Sequence, residues 1–280
     1  MKEPFPYRAR KFLCQQVTGR RGGSQHRRLD ATDWDILLVL DACRADALRE
    51  VAHWPVETVT SPASCTPEWL GECVSSGVLD AATVVSGNAQ YAKVTDELGA
   101  TVERYWERHW NDELSTVLPE PILDRVTEIA DADAGPAVGH LQQPHWPYVA
   151  KLDGSWRLAY DDLGPWSDSD GEIDSLQVAM ARGHVDVEAA SDAYSAAVWS
   201  VWDAIAPYLR EWLDAGYTTV VTADHGEIFG RARELRLYEH PCGCHVDPLV
   251  EVPWVEFRPR TATDAAESVE GRLKALGYAE

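Results

Sequence analysis

Five consecutive apolar residues, Ile36-Leu37-Leu38-Val39-Leu40, stand between Asp35 and Asp41 and constrain this chain more than any other stretch. A strand with one wet face alternates apolar and polar residues. A run without alternation must be covered on both faces, as in the middle of a parallel sheet. Residues 218–222 and 250–257 read as further buried strands, and Thr83–Ser86 and 136–141 as shorter ones. Between them lie helical patterns at 44–51 and at 67–76, the latter with Thr66 as N-cap and Pro67 at the first position. A long helix over Val187–Ala215 places Tyr194, Val198, Val201, Ile205 and Leu209 at three-to-four spacing, and a last helix is expected at 263–276. Alternating strands and helices of these lengths predict an α/β fold: a mostly parallel central sheet with helices on both faces.

The 280 residues suffice for one sizeable core, expected over 31–280 after a basic N-terminal arm at 1–30. Residues 150–187, rich in Asp, Gly, Ser and Trp and without a clear period, read as an irregular insertion, a candidate lid. No apolar run reaches the roughly 18–20 residues of a membrane span, and the first residues lack the apolar stretch of a secretory signal. These features set the expectation of a cytoplasmic protein.

Charge narrows the partners. Forty-six Asp and Glu against 25 Lys and Arg give −21, and only five of the basic residues are Lys. Such a surface repels nucleic acid and acidic membranes from the main body. It suits concentrated salt, where the screening length is only ~3 Å at 1 M, so a halophilic origin is expected. Residues 1–28 run the other way, with eight Lys and Arg and one acid. The arm can dock on an acidic surface, or lie on the chain's own acidic body; the second is favoured because Gly19, Gly22 and Gly23 interrupt any helix early. Six cysteines without a secretory signal point to thiols rather than a disulfide framework. Cys242-Gly243-Cys244-His245 has soft-metal ligands, but no second cysteine pair completes a tetrahedral site.

In open α/β sheets the site forms outside the carboxyl ends of the strands. Here the run 36–40 ends in Asp41, the run 218–222 leads into Asp224-His225-Gly226-Glu227, and 136–141 leads to His145. Carboxylates with an imidazole suit zinc or manganese, and with fewer nitrogens magnesium or calcium. Each residue also has a structural reading: Asp41 as a helix cap, Gly226 as a positive-φ turn residue, His145 as a packed loop ring. A nucleophile is sought in Ser64-Cys65-Thr66-Pro67, just before a helix whose N-terminal dipole stabilises anions.

These residues also carry a resemblance. Asp35-Ile36-Leu37-Leu38-Val39-Leu40-Asp41-Ala42-Cys43-Arg44-Ala45-Asp46 resembles the opening motif of sulfatase-like members of the alkaline phosphatase superfamily, in which a strand ends in an Asp metal ligand. Val221-Thr222-Ala223-Asp224-His225-Gly226-Glu227 is similar to the family's second metal-binding strand end, and Pro144-His145-Trp146-Pro147 to its substrate-facing histidine segment. His240 sits near where the family places another substrate or metal histidine, with His245 as the competing choice.

The resemblance implies an alkaline phosphatase-like fold and a hydrolase or transferase acting on a phosphate or sulfate ester. It implies metal ligands Asp41, Asp224, His225 and His240, and substrate contacts from His145 and His240. The sulfatase pattern Cys/Ser-x-Pro-x-Arg is met only as Cys65-Thr66-Pro67-Glu68-Trp69, with Trp69 in place of the Arg. Cys65 occupies the nucleophile register; Thr66 suits phosphoryl transfer better and is preferred, and Ser64 comes third. Arg44 reads as an ion-pair partner of Asp46. The substrate would be a small anionic ester or glycan, with the Trp-rich stretch 146–166 lining the cleft or packing in the core. A phosphodiesterase acting on nucleotides or lipid head groups is a variant of this reading. A non-catalytic descendant that binds an anionic glycan or a protein partner is the alternative from another class.

Overall fold

The computed structural model describes residues 3–19, 22–160 and 176–259. The helix expected at 263–276 and the middle of the 150–187 insertion lie outside the described residues. The arm glycines separate two helices rather than preventing them: α1 (Phe5–Val17) and α2 (Ser24–Asp30). Then follow β1 (Ile36–Asp41), α3 (Ala45–Val51), β2 (Glu57–Thr60), α4 (Thr66–Ser76), β3 (Thr83–Ser86) and β4 (Thr101–Arg104). A short ribbon of β5 (Trp110–Asn111) and β6 (Thr116–Val117) leads to α5 (Pro119–Asp131) and β7 (Ala137–Pro144). The segment read as irregular contains a hairpin, β8 (Val149–Leu152) with β9 (Ser155–Leu158), and a helix, α6 (Leu176–Arg182). The chain continues through α7 (Val187–Ala215), β10 (Thr219–Ala223), the ribbon β11 (Ile228–Phe229) and β12 (Tyr238–Glu239), α8 (Asp247–Val250) and β13 (Glu251–Phe257). No described helix is long and apolar enough to cross a membrane.

Seven strands form the main sheet in the order β2-β13-β10-β1-β7-β3-β4. β10, β1, β7, β3 and β4 run parallel, while β13 lies antiparallel between β10 and β2. All six residues of β1 are buried, as an unalternating run in a central position requires. Consecutive strand residues point to opposite faces, and Gly139 and His140 of β7 show what covers each. A Cβ on Gly139 would press on Ile122 and Val126 of α5, whereas the His140 ring stands edge-on to Trp69 of α4. α3 and α5 pack against α7, so this trio and α4 cover opposite faces. α7 buries Tyr194, Val198, Val201, Ile205 and Leu209, the stripe that the spacing predicts. It is capped by the Asp186 side chain and ends at Gly216, whose φ of 97° a residue with a Cβ rarely adopts.

The arm is tied to the body through α2. Gln25 is buried, donates to Thr222 Oγ1 and the Ala223 carbonyl of β10, and accepts from Trp69 Nε1. His26 lies edge-on to Trp69, 5.8 Å between ring centres, with Nδ1 3.2 Å from Ser76 Oγ. Burial pushes its pKa from the ordinary 6.5 down to about 4. The unfolded chain therefore binds a proton that the folded chain refuses, and stability falls as pH drops from 6.5 toward 4. Thermal melts across that window should show a falling midpoint, and His26→Asn should remove on the order of 2 kcal/mol of the pH dependence.

Candidate metal and nucleophile site

The parallel register builds the site. Leu40 of β1 pairs with Ala223 of β10, so the next residues, Asp41 and Asp224, leave the sheet side by side. Asp41 turns sharply into Ala42, which has φ 61° and donates its N–H to Asp224 Oδ1 at 3.1 Å. Tyr194 of α7 braces the turn: its hydroxyl accepts from Arg44 N and donates to the Ala42 carbonyl, at 2.9 and 2.8 Å. Arg44 reaches Asp46 at 2.8 Å through Nε, the ion pair read from the sequence. On the other strand end Gly226 does not adopt a positive φ. It is glycine because a Cβ there would lie 2.0 Å from the Pro248 carbonyl oxygen.

Thr66 opens α4 as its first residue, while Cys65 is the N-cap, one position earlier than the spacing suggested. The Thr66 hydroxyl lies 3.2 Å from His225 Nε2. His225 Nδ1 lies 2.9 Å from the Gly226 carbonyl and must donate to it, which leaves the Nε2 lone pair free for Thr66 or for a metal. The same Nε2 is 3.5 Å from Asp41 Oδ1 and 3.4 Å from Asp224 Oδ2. Asn88, just past β3, donates to the other Asp41 oxygen at 2.6 Å.

Two buried carboxylate oxygens, Asp41 Oδ1 and Asp224 Oδ2, have no hydrogen-bond partner, and neither does the buried His140 Nε2. Ligand atoms of Asp41, His140 and Asp224 lie within 4.8 Å of one another. Burial, and then the neighbouring Asp224, push the Asp41 carboxyl well above the usual carboxylate range. Unpartnered oxygens of two adjacent buried acids are costly without a counter-charge, and a divalent cation supplies it. The donor set of two carboxylates, one or two imidazoles and a hydroxyl fits such an ion.

The cleft above these residues encloses about 390 Å³ and is lined by Asp41, Thr66, Asn88, Trp110, Gln142, His145, Gln177, His240 and Lys11. His145 Nδ1 donates to the Trp146 carbonyl, and its Nε2 faces His240 Nε2 at 3.3 Å. His240 Nδ1 lies 3.5 Å from Glu227 Oε1, whose carboxylate also accepts from the Tyr148 hydroxyl. Burial would lower the His240 pKa, but Glu227, Glu239 and Asp41 outweigh it and hold it up at about 9. Burial, reinforced by His240 and His225, keeps His145 well below its ordinary value. The pair is thus one imidazolium and one neutral imidazole.

Several sequence readings change here. Cys65 and Cys242 form a disulfide, so the expectation of thiols alone fails for this pair; Cys14, Cys43, Cys73 and Cys244 are free. Bonded to Cys242, Cys65 offers no thiolate nucleophile, and Cys242 is withdrawn from any soft-metal set with Cys244 and His245. Ser64 points its hydroxyl at Glu68. His245 stands 3.6 Å from Glu68, with its backbone N–H on Thr18, so His240 is the histidine brought to the cleft. His240 faces His145 and Glu227, and its ring centre lies 4.6 Å from that of His225. Trp69 is fully buried in the core, and Trp156 donates to Glu120; among the described residues Trp110 is the tryptophan lining the cleft, and residues 161–166 of the Trp-rich stretch lie outside the described residues.

Sequence reasoning missed His140, Asn88 and Glu227. The signal for His140 was an ionisable residue inside an apolar central strand. For Asn88 it was a polar residue straight after β3, at the same edge of the sheet as Asp41.

No family model matches the sequence, and no curated protein does. Among solved structures, the soluble domain of lipooligosaccharide phosphoethanolamine transferase A from Neisseria meningitidis is similar with a TM-score of 0.54 and 13% identity, over 84% of this chain and 78% of that one. The integral membrane form of that enzyme gives the same score at 12% identity, and this chain spans about half its length, 48%. The C-terminal periplasmic domain of a phosphoethanolamine transferase from Campylobacter jejuni gives 0.52 at 17% identity, over 85% of this chain and 82% of that one. At such identities the likeness establishes the fold, which is the alkaline phosphatase-like α/β architecture expected from the sequence.

The donor set sets a measurable expectation. Calorimetric titration with zinc or manganese should give one strong site per chain, and Asp41→Asn or Asp224→Asn should weaken it by about 100-fold or more.

Proposed function

We propose that this chain is a metal-dependent enzyme that transfers the phosphoryl-containing group of a small anionic phosphate ester, with Thr66 as nucleophile. One observation carries the reading: the Thr66 hydroxyl sits at a helix N-terminus, 3.2 Å from His225 Nε2, against two buried carboxylates with unpartnered oxygens. Asp41, Asp224 and His225 would hold the ion, with Thr66 beside it. When bound, the ion supplies charge that lowers the hydroxyl's pKa and offsets charge developing on phosphate oxygens.

The remaining groups belong to this chain. Thr66 releases its hydroxyl proton to solvent in the cleft, its Oγ attacks phosphorus in line, the Oγ–P bond forms, and the P–O bond to the leaving alkoxide breaks. The His240 imidazolium, held charged by Glu227, binds phosphate oxygens, and its Nε2 proton, facing His145, can pass to the leaving oxygen. The Lys11 ammonium also lines the cleft, where its pairing with Glu3 at 2.9 Å offsets its charge, so His240 is the cation offered to an anionic substrate in a chain of −21. A water or alcohol then attacks the phosphothreonine and releases the enzyme, as hydrolase or transferase respectively. The similar folds of two transferases that carry phosphoethanolamine in their names support the transferase branch.

A phosphate ester is favoured over a sulfate ester by two residues. The sulfatase pattern implies oxidation of its Cys or Ser to formylglycine, which needs a free Cys65; here Cys65 is bonded to Cys242, and the Arg position of that pattern is the buried Trp69, hydrogen-bonded to Gln25.

Thr66→Ala should lower turnover of aryl phosphate mono- or diesters by about 10³-fold, and Thr66→Ser should retain part of it. Peptide mass spectrometry after quenching wild type with a slow substrate should find the adduct on Thr66. Wild-type rates in Thr66→Ala would overturn the assignment.

A further inference from the structure

Helix α1 presents two unlike faces. One is anchored: Tyr7 and Cys14 are buried in a small apolar cluster with Ile228, Leu237, Cys244 and Leu249. The other is an apolar ridge in water, with Phe5 79% exposed, Phe12 64%, Leu13 54% and Val17 63%. At about 100° per residue these four side chains fall within an arc of roughly 140°, on the side away from Tyr7 and Cys14. Arg8 and Arg10 border the ridge on its two flanks. Scattered single apolar side chains are normal on a surface, but four large ones on one face of one helix form a contact surface.

We infer that this ridge seats the protein on an anionic lipid surface. Charge selects that occupant. Residues 1–28 carry eight basic residues and one acid, whereas the remaining 252 residues carry 17 basic against 45 acidic. Anionic headgroups attract the α1 face and repel the rest, which fixes the orientation as well as the contact. A second copy meeting α1 through the same ridge would bring its own Arg8 and Arg10 against these. An amphipathic helix with two Phe and flanking Arg matches the pattern of helices that lie in the plane of a membrane interface.

The same helix reaches the cleft. Lys11 lines it, and Gln15 Nε2 donates to the Cys242 carbonyl at 2.9 Å. Lys11 and Gln15 fall on the anchored side of the helix, with Tyr7 and Cys14, so α1 turns one face to the cleft and the ridge away from it.

The test is co-sedimentation of the full chain at physiological salt. The vesicles are equal parts phosphatidylglycerol and phosphatidylcholine, or phosphatidylcholine alone. Wild type should partition onto the anionic vesicles at least about tenfold better, and the double variant Phe12→Glu/Leu13→Glu should lose that preference. Both side chains are exposed, and an unchanged melting temperature would show that the variant folds. Arg8→Glu should weaken binding in a salt-dependent way without touching the apolar ridge. Thr66→Ala should bind vesicles like wild type, which separates this inference from the catalytic one. Equal binding of wild type and the double variant, or no preference for anionic vesicles, would overturn it. So would a wild-type dimer that the double variant dissociates without any vesicle binding.

Discussion

Two acids at the ends of adjacent parallel strands set the terms for everything around them. The hydrogen-bond register between β1 and β10 puts Asp41 beside Asp224, and the strand ends are buried, so solvent cannot screen them. Neighbouring groups satisfy one oxygen of each: Asn88 donates to Asp41, and the backbone of Ala42 and His225 to Asp224. The other oxygen of each has no hydrogen-bond partner. The glycine at 226, the Tyr194 brace and the left-handed turn at Ala42 serve the same end, because each holds backbone at the mouth of the sheet where a small shift would separate the two carboxylates.

The histidines divide into two tasks according to their surroundings. His225 has its tautomer set by a backbone carbonyl, so its remaining nitrogen faces the acids as a lone pair. His145 is likewise fixed by a carbonyl, but its free nitrogen faces His240. Glu227 is what separates the roles. It stands next to His240 and raises that ring's pKa, while burial first, and His240 second, lower those of His145 and His225. The His225 edge beside the two acids and the His240 edge beside Glu227 thus differ in their preference for a proton within a few ångströms.

Much of the fold was legible because strand burial and helix periodicity are local properties. The run before Asp41 could only be central, and the stripe on α7 named its own buried face. Strand-end acids were legible for the same reason, since parallel sheets place their sites at one edge. The Cys65–Cys242 bond was not, because it depends on two loops meeting across 177 residues of sequence. His140 hid in a strand that reads as core, and its meaning appears only when Trp69, Tyr91 and Asp224 are seen around it. The helix in the arm was masked by its glycines, which end α1 rather than forbid it.

The Cys65–Cys242 bond has a further consequence for the cleft. One of its ends adjoins Thr66, and the other lies two residues beyond His240. The two walls that carry Thr66 and His240 are thus riveted together, with the cysteine Cα atoms 5.1 Å apart. Along that line the cleft has a set gauge and cannot widen to admit a bulkier group. Any give must come from the sides formed by Trp110, Gln142, Gln177 and Lys11, so the width between Thr66 and His240 is set and tolerance for the shape of a bound molecule is confined to the periphery.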